Sequence, residues 1–154
     1  MSQNFGRDNR NFNGRGNGYN NTPNNAAPVN MDPLPLPERY VDAAEAVIQK
    51  LPGIAPITNT KIRKIFGLFT DIYNGVKRAS DRPLNGEQIQ ALSTARVRMV
   101  YECGRDESTK SFVQQAKLIN YLKDIGDNPE KLIAYYNYFE ALVAYHRFRF
   151  GEKG

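Results

Sequence analysis

Apolar residues recur at helical spacing through almost all of the chain from Glu38 onward, and this periodicity limits the fold more than any other feature. They return every three or four residues in five stretches, and no stretch alternates in the way that a half-buried strand does. Short runs containing Gly, Pro or Asn separate the stretches, so successive helices are able to pack side by side. We therefore predict an all-α fold, a compact bundle of about five helices over residues 38–150.

Local signals set the ends of these helices. The predicted N-caps, from the second helix to the fifth, are Thr58 or Thr60, Asn85, Ser108 and Asn128. The predicted stops, from the first helix to the fifth, are Pro52-Gly53, the end of the second stripe at Val76, Gly104, Gly126 and Gly151. Asn128 is followed by a proline at the first helical position, which is a favoured way to begin a helix.

The beginning of the chain differs in composition from the rest. Ten of residues 1–30 are Asn and four are Gly, and the apolar residues there never become periodic. Such a segment buries too little surface to offset the entropy of ordering it, so we predict a disordered tail. Its Arg and aromatic residues fit either weak contacts with single-stranded RNA or a solvated leader with no task. Residues 31–37 alternate proline with leucine, which predicts a stiff strut that completes a region 1–37 ahead of the helical domain.

The net charge of +5 lies entirely in the middle third of the chain. Residues 61–105 hold nine bases and four acids, whereas the segments on either side are neutral. A positive field confined to one folded segment attracts phosphate chains. The charge pattern therefore indicates a nucleic-acid contact made by the second and third helices.

The second helix begins with three bases, Lys61, Arg63 and Lys64. Positive charge there opposes the helix dipole, but next to free N–H groups it creates an anion site. One side of this helix carries Arg63, Gly67, Thr70, Asn74 and Lys77. A continuous helix would place Arg63 and Lys77 about 21 Å apart, enough to follow several phosphates. The alternative is a solvated face with a glycine that packs against another helix.

The bases of the third helix divide into two kinds. Arg98 and Glu102 are spaced for an i,i+4 ion pair, and Arg105 lies on the same exposed side. The predicted apolar stripe of this helix comprises Ile89, Leu92, Met99, Val100 and Cys103. Arg96 falls on that stripe, where a base requires a partner such as Glu140 or a second subunit, so we interpret it as structural.

The fifth helix carries apolar residues on two faces. One face comprises Leu132, Tyr135, Tyr136, Phe139, Leu142, Val143 and Phe150, and the other Ala134, Tyr138, Ala141, Tyr145 and Phe148. A helix on the surface of a monomer buries only one such face. We predict that this helix is either central in the bundle or buried in a subunit contact, and we favour it as the element that holds the protein in an assembly.

Catalytic chemistry has few candidates in this chain, which holds one His and one Cys. His146 shares a stripe with Phe139, Val143 and Phe150, so we predict a packed histidine. No Cys/His spacing fits a metal site, and no Gly-rich loop follows a strand. We predict no catalytic residue, no metal and no cofactor. The sequence lacks an eighteen-residue apolar run and a secretory leader, so we expect a cytoplasmic protein without a membrane contact.

Four motifs occur in order along the chain. They are Lys61-Ile62-Arg63-Lys64-Ile65, Val97-Arg98-Met99-Val100-Tyr101-Glu102-Cys103-Gly104-Arg105, Ala116-Lys117-Leu118-Ile119 and Tyr138-Phe139-Glu140-Ala141-Leu142-Val143-Ala144-Tyr145-His146. Together they resemble the successive signatures of one family, the small helical subunit of type III-A (Csm) CRISPR effector complexes. The resemblance covers about residues 38–150. That family commonly has Ala where this chain has Cys103, and the Asn/Gly-rich tail lies outside its pattern.

The resemblance implies an all-α subunit without catalysis of its own, stacked in several copies along a filament beside the backbone and large subunits. It implies contacts with CRISPR RNA and target RNA through phosphates in antiviral defence. The candidate RNA-contact residues are Lys61, Arg63, Lys64, Lys77, Arg78, Arg98 and Arg105. Two other classes remain open. A helical DNA-binding regulator would need side chains that converge on base edges, and the linker over residues 79–84 is long for a helix-turn-helix. The other class is a small hydrolase or nuclease.

Overall fold

The computed structural model describes residues 27–54, 56–79 and 81–151, and within these ranges it contains seven helices and no strand. They are α1 (Tyr40–Lys50), α2 (Asn59–Gly67), α3 (Thr70–Lys77), α4 (Gly86–Arg105), α5 (Glu107–Ala116), α6 (Leu118–Lys123) and α7 (Pro129–Phe150). The all-α prediction is confirmed. Two of the five predicted stretches, the second and the fourth, each consist of two helices. The predicted tail falls mostly on residues 1–26, which lie outside the described ranges.

The second predicted helix is interrupted at Leu68 and Phe69. Their N–H groups donate to the carbonyls three residues earlier, Ile65 (3.2 Å) and Phe66 (3.1 Å), which is the tighter turn of a 3₁₀ helix. Phe69 is fully buried, and its ring lies 5.4 Å from the ring of Tyr135 on α7. The prediction of one continuous side from Arg63 to Lys77 is therefore wrong, because core packing of Phe69 replaces the straight helix with two shorter ones.

The fourth predicted helix is interrupted at Lys117, which adopts the left-handed conformation with φ +56°. Two tyrosines of α7 stabilise this break. The Tyr138 hydroxyl donates to the carbonyl of Ala116 (2.8 Å), and the Tyr135 hydroxyl donates to the carbonyl of Leu118 (2.9 Å). The bond from Tyr138 satisfies the carbonyl of the last residue of α5, which a helix end would otherwise leave unpaired.

Three of the predicted helix starts are confirmed. Thr58 accepts from the Lys61 N–H, Asn85 forms a capping box with Gln88, and Asn128 accepts from the N–H groups of the first turn of α7. The Ser108 and Gly104 predictions are wrong. The helix α4 continues to Arg105, and the next residue, Asp106, caps α5 by accepting from the Thr109 N–H. An aspartate outcompetes a serine here because its charged oxygen suits the positive end of a helix.

The helix α7 lies at the centre of the bundle, where α1, α2, α3 and α6 pack around it. Its buried residues are Leu132, Tyr135, Tyr138, Phe139, Leu142 and His146. Near its end, the Arg149 guanidinium donates to the carbonyls of Ile48 (2.7 Å) and Leu51 (2.8 Å), which closes the C-terminus of α1. Of the two predicted positions for this helix, the central one is confirmed, because four helices pack against it, but the second predicted apolar face is buried only in part and its Phe148 is 86% exposed.

The Pro-rich strut lies along α6. The Leu34 N–H donates to the carbonyl of Asn120 (3.1 Å), and the Asn120 amide donates to the carbonyl of Asp32 (2.9 Å). The Lys123 ammonium donates to the carbonyl of Met31 (2.7 Å). These contacts make residues 31–37 part of the same compact unit as the helices.

Candidate nucleic-acid interface

Three of the predicted RNA-contact bases meet where α2 approaches the end of α4, a place that we call the α2–α4 junction. Lys61, Lys64, Glu102, Arg105 and Asp106 line a groove of about 280 Å³ there. The Lys61 ammonium lies 2.9 Å from the Asp106 carboxylate. The Glu102 carboxylate lies 3.2 Å from Lys64 and 3.6 Å from Arg105. Two acids thus offset most of the charge of three bases, and the junction keeps only one positive charge.

Asp106 is held in its charged form at this junction. Hydrogen bonds from the Ser108 hydroxyl, the Lys61 ammonium and the Thr109 hydroxyl keep the pKa of the Asp106 carboxyl well below its usual range. The same residue caps α5, so Lys61 contributes to a structural link between α2 and α5.

Arg98 does not form the predicted pair with Glu102. The carboxylate of Glu102 faces Lys64 and Arg105 instead, because the fold brings Lys64 of α2 to within 3.2 Å of it. Arg98 is exposed and has no ion pair in the described part of the chain. The prediction that Arg98 is partly neutralised is wrong, and this base is more available to an anion than the sequence suggested.

Lys77 and Arg78 lie at the far end of α3, beyond the interruption at Leu68 and Phe69. Both are exposed, and the Lys77 ammonium lies 5.5 Å from the centre of the Tyr73 ring. Tyr73 stacks on Tyr136 with ring centres 3.9 Å apart, so this end of α3 is fixed against α7. The bases at the two ends of the predicted helix therefore belong to separate helices.

Arg63 lies away from the junction, where α2 begins. Asn59, Thr60, Arg63 and Arg147 line a cavity of about 390 Å³. Arg147 comes from α7 and is not among the predicted contact residues. A Cβ added to Gly67, one turn beyond Arg63, would have no atom of another described residue within 4 Å. Packing inside the described chain therefore does not require a glycine at that position.

The half-buried Arg96 lies beside Leu92 on α4 and Leu122 and Lys123 of α6. The predicted ion pair with Glu140 is not formed, and Glu140 is exposed on α7. A half-buried Arg96 beside Leu92 and Leu122 fits the usual way in which a long base is accommodated, with its aliphatic stem over apolar surface.

His146 is packed, as predicted. It is fully buried, its Nε2 lies 2.7 Å from the carbonyl of Ile57, and its Nδ1 has no hydrogen-bond partner. Burial lowers the pKa of His146, while the bond to Ile57 opposes that shift.

Burial raises the pKa of the Cys103 thiol to about 11, which leaves the thiol protonated at neutral pH. No cluster of three His, Cys, Asp or Glu suited to a metal occurs among the described residues, and no helix there could span a bilayer.

Among the described helices, α4 carries the most exposed large apolar side chains, although Phe148 on α7 and Ile54 after α1 are each 86% exposed. Val97, Val100 and Tyr101 are 65%, 39% and 63% exposed, and we call these three residues the α4 face. The predicted stripe is confirmed at Leu92 and Met99, which are buried, but is wrong at Ile89 and Val100, which are exposed. A helix covered on one side normally carries polar residues on the other side, so exposed apolar side chains there are typical of contacts with other proteins.

Known proteins are similar to this chain over most of its length. Residues 36–152 match the family described as Csm2 Type III-A. A protein of Streptococcus thermophilus named "CRISPR system Cms protein Csm2" is 36% identical over 119 residues, which is 75% of this chain and 94% of the relative. A protein of the same name from Mycobacterium tuberculosis is 30% identical over 115 residues, which is 73% of this chain and 93% of the relative.

Proposed function

The chain belongs to the Csm2 family of type III-A CRISPR systems, and from that membership we propose that it is a non-catalytic, RNA-binding small subunit of a type III-A CRISPR complex. In this proposal it contacts CRISPR RNA and target RNA through phosphates, while base pairing between the two RNAs reads the sequence. Copies of the subunit stack along a filament beside the backbone and large subunits. The setting is antiviral defence in the cytoplasm.

The observation that supports RNA binding most directly is a set of exposed bases without ion pairs in the described chain. They are Arg63, Lys77, Arg78, Arg82 and Arg98. They come from α2, α3, the following loop and α4, so they offer positive charge over several elements rather than at one point. Bases spread in this way bind phosphates without choosing a sequence, and the affinity then falls steeply with salt. Lys61, Lys64 and Arg105 stay in the proposed set, but the acids of the α2–α4 junction reduce the positive charge that these bases offer to RNA.

The α4 face supports the assembly part of the proposal. Because α7 is central, it does not provide a subunit contact along its buried faces, and the apolar side chains of α4 take its place as the proposed contact with a neighbouring subunit. Arg98 and Arg105 border this face, so one helix can serve a protein neighbour and an RNA backbone together.

The test of RNA binding is the salt dependence of affinity. If about four phosphates are neutralised, log K against log salt has a slope near −3 for a single strand. The triple variant Arg63→Gln, Lys77→Gln and Arg98→Gln should reduce the size of that slope by about 2 and weaken binding at low salt. Fluorescence anisotropy with labelled single-stranded RNA measures both quantities.

A charge-matched control replaces three bases outside residues 61–105, namely Arg39, Lys50 and Lys110, with Gln. We expect this control to change the slope little, since the bases lie outside the proposed set. Affinity that does not depend on salt would overturn the proposal. A clear preference for one duplex DNA sequence over random duplex would favour the DNA-binding regulator instead, and metal-dependent RNA cleavage by the pure chain would contradict the non-catalytic role.

A further inference from the structure

A groove of about 390 Å³ lies between the Pro-rich strut, the end of α6 and the start of α7, and we call it the strut groove. Its apolar and aromatic lining includes Leu36, Tyr40, Tyr121, Ile125 and Tyr135. No described residue of α2, α3 or α4 lines it. The strut groove is therefore separate from the proposed RNA contacts and from the α4 face.

The walls of the strut groove are held in place by contacts already made inside the molecule. The Leu34 N–H donates to the carbonyl of Asn120 (3.1 Å), which fixes the strut against α6. The Tyr121 ring lies edge-on to the Tyr138 ring, with ring centres 5.5 Å apart. A groove that is formed in advance needs little ordering to accept a ligand, so more of the contact energy appears as affinity.

The charge at the strut groove is opposite in sign to the net charge of the chain. Its lining holds three acids, Glu38, Asp124 and Glu130, and one base, Lys131. The Asp124 carboxylate lies 3.1 Å from the Lys131 ammonium, so these two charges offset each other. The exposed carboxylates of Glu38 and Glu130 have no ion pair or hydrogen bond within the described residues. The groove therefore repels phosphates and attracts bases, in a chain whose net charge is +5.

We propose that the strut groove binds a segment of another protein in which an arginine lies between apolar residues. The apolar side chains of that segment cover the apolar lining, and the guanidinium pairs with the carboxylates of Glu38 and Glu130. Arginine suits this place better than lysine, because its guanidinium is weakly hydrated and stacks on rings such as those of Tyr40 and Tyr121. This contact goes beyond RNA binding and adds a protein contact of opposite charge to the bases that border the α4 face.

The first experiment titrates a peptide into the ¹⁵N-labelled full chain and follows backbone amides by NMR. The probe is the acetylated and amidated peptide GLRLG, and we expect saturable shifts centred on Glu38, Tyr121 and Glu130. The peptide GLQLG, which lacks the charge, should bind at least about fivefold more weakly. The variant Glu38→Gln combined with Glu130→Gln should weaken binding of GLRLG by a similar factor, because the same ion pairs are lost.

Glu45→Gln combined with Glu87→Gln is the matched control, since it removes two exposed acids that do not line the strut groove and gives the same net charge. We expect this control to bind GLRLG as the native chain does. Shifts that are absent, spread over all surface acids, or retained in the groove variant would overturn the proposal. Shifts of the same residues caused by single-stranded RNA, or by concentrating the chain alone, would also overturn it and identify RNA or a second copy as the occupant.

The second experiment rests on the proposed function for its choice of partner. It measures co-purification of the variant Glu38→Lys combined with Glu130→Lys with type III-A partner subunits. We expect at least about tenfold weaker association, because the new charges repel the arginine, and no loss of affinity for single-stranded RNA. Unchanged association would overturn the assignment of the groove to a subunit contact. Failure of the native chain to bind RNA and to assemble would overturn the proposed function, whereas localised binding of GLRLG would still support the groove.

Discussion

His146 on α7 is the one histidine of the chain. It is buried, and its ring contacts the carbonyl of Ile57. The carbonyl can only accept, so Nε2 carries the proton and Nδ1 is left as an acceptor without a partner. A second proton on Nδ1 would place an unpaired charge inside the bundle. His146 is therefore neutral in the folded chain, and the free energy of unfolding depends on pH as a result.

We predict that the free energy of unfolding falls as the pH drops below about 6.5. Because burial lowers the pKa of His146 in the folded chain, the unfolded chain binds more protons between the two pKa values. The stabilisation is complete above the unfolded pKa and is lost as the pH falls towards the folded pKa, by at most about 1.4 kcal/mol per pH unit. Urea denaturation at a series of pH values measures the free energy of unfolding. The series runs from pH 5 to 8, roughly the range over which a histidine titrates.

The matched variant is His146→Gln, whose amide can still donate towards Ile57 but does not titrate. Its unfolding free energy should be nearly flat over the same range. Since no other histidine is present, a slope that survives in this variant would show that a different group is responsible.

At the scale of residues, the sequence predicts which bases are present but not which ion pairs they form. The location of the positive charge in residues 61–105 follows from composition alone, and so do its candidate bases. The ion-pair partner of Glu102 does not follow from the sequence, because i,i+4 spacing favours Arg98. In the fold, Lys64 of α2 lies beside Glu102 instead. The sequence does not predict Arg147 as a neighbour of Arg63 for the same reason. The two residues are far apart in sequence and line one cavity only because their helices pack together.

At the scale of elements, local chemistry and tertiary contacts determine different things. The starts of α2, α4 and α7 were predicted correctly, because a capping side chain acts within three residues of itself. The interruptions after Gly67 and at Lys117 were not predicted. Leu68, Phe69 and Lys117 are neither Gly nor Pro, and the groups that stabilise both breaks belong to α7, more than fifteen residues further along the chain.

The break at Lys117 provides a test of that explanation. Tyr138→Phe removes the bond from the Tyr138 hydroxyl to the carbonyl of Ala116 and leaves a buried acceptor unpaired. We predict a loss of about 1–3 kcal/mol in the free energy of unfolding. Chemical denaturation at neutral pH measures it, and hydrogen exchange should show faster opening of the α5–α6 region.

Tyr145→Phe is the control for this experiment. Tyr145 lies two turns further along α7, is half-buried, and has no hydrogen bond from its hydroxyl in the described chain. Its loss should change stability by less than about 0.5 kcal/mol. Equal effects of the two variants would mean that the hydroxyl of Tyr138 contributes little and that the break at Lys117 has another cause.

At the scale of the whole molecule, the central position of α7 decides which surface is left for partners. A monomeric bundle can bury more than one face of a helix only by surrounding it, and α1, α2, α3 and α6 do so along α7 except at its end, where Phe148 is 86% exposed. Apolar periodicity identified α7 as unusual but could not distinguish a central helix from a subunit contact. The described helix with the most exposed large apolar side chains is α4, whose outer side includes Val97 and Tyr101.

The last prediction concerns assembly through the α4 face. Val97→Glu combined with Tyr101→Glu places two charges on side chains that are 65% and 63% exposed, so the isolated chain should lose less than about 1 kcal/mol of stability. In contact with a neighbouring subunit the same charges would be buried without partners, which weakens binding at least about tenfold. Co-purification with type III-A partner subunits, together with denaturation of the isolated chain, separates the two effects. Val41→Glu, on an exposed apolar residue of α1 at 47%, is the control and should assemble normally. Normal assembly of the double variant would show that copies and partners meet this chain through another surface.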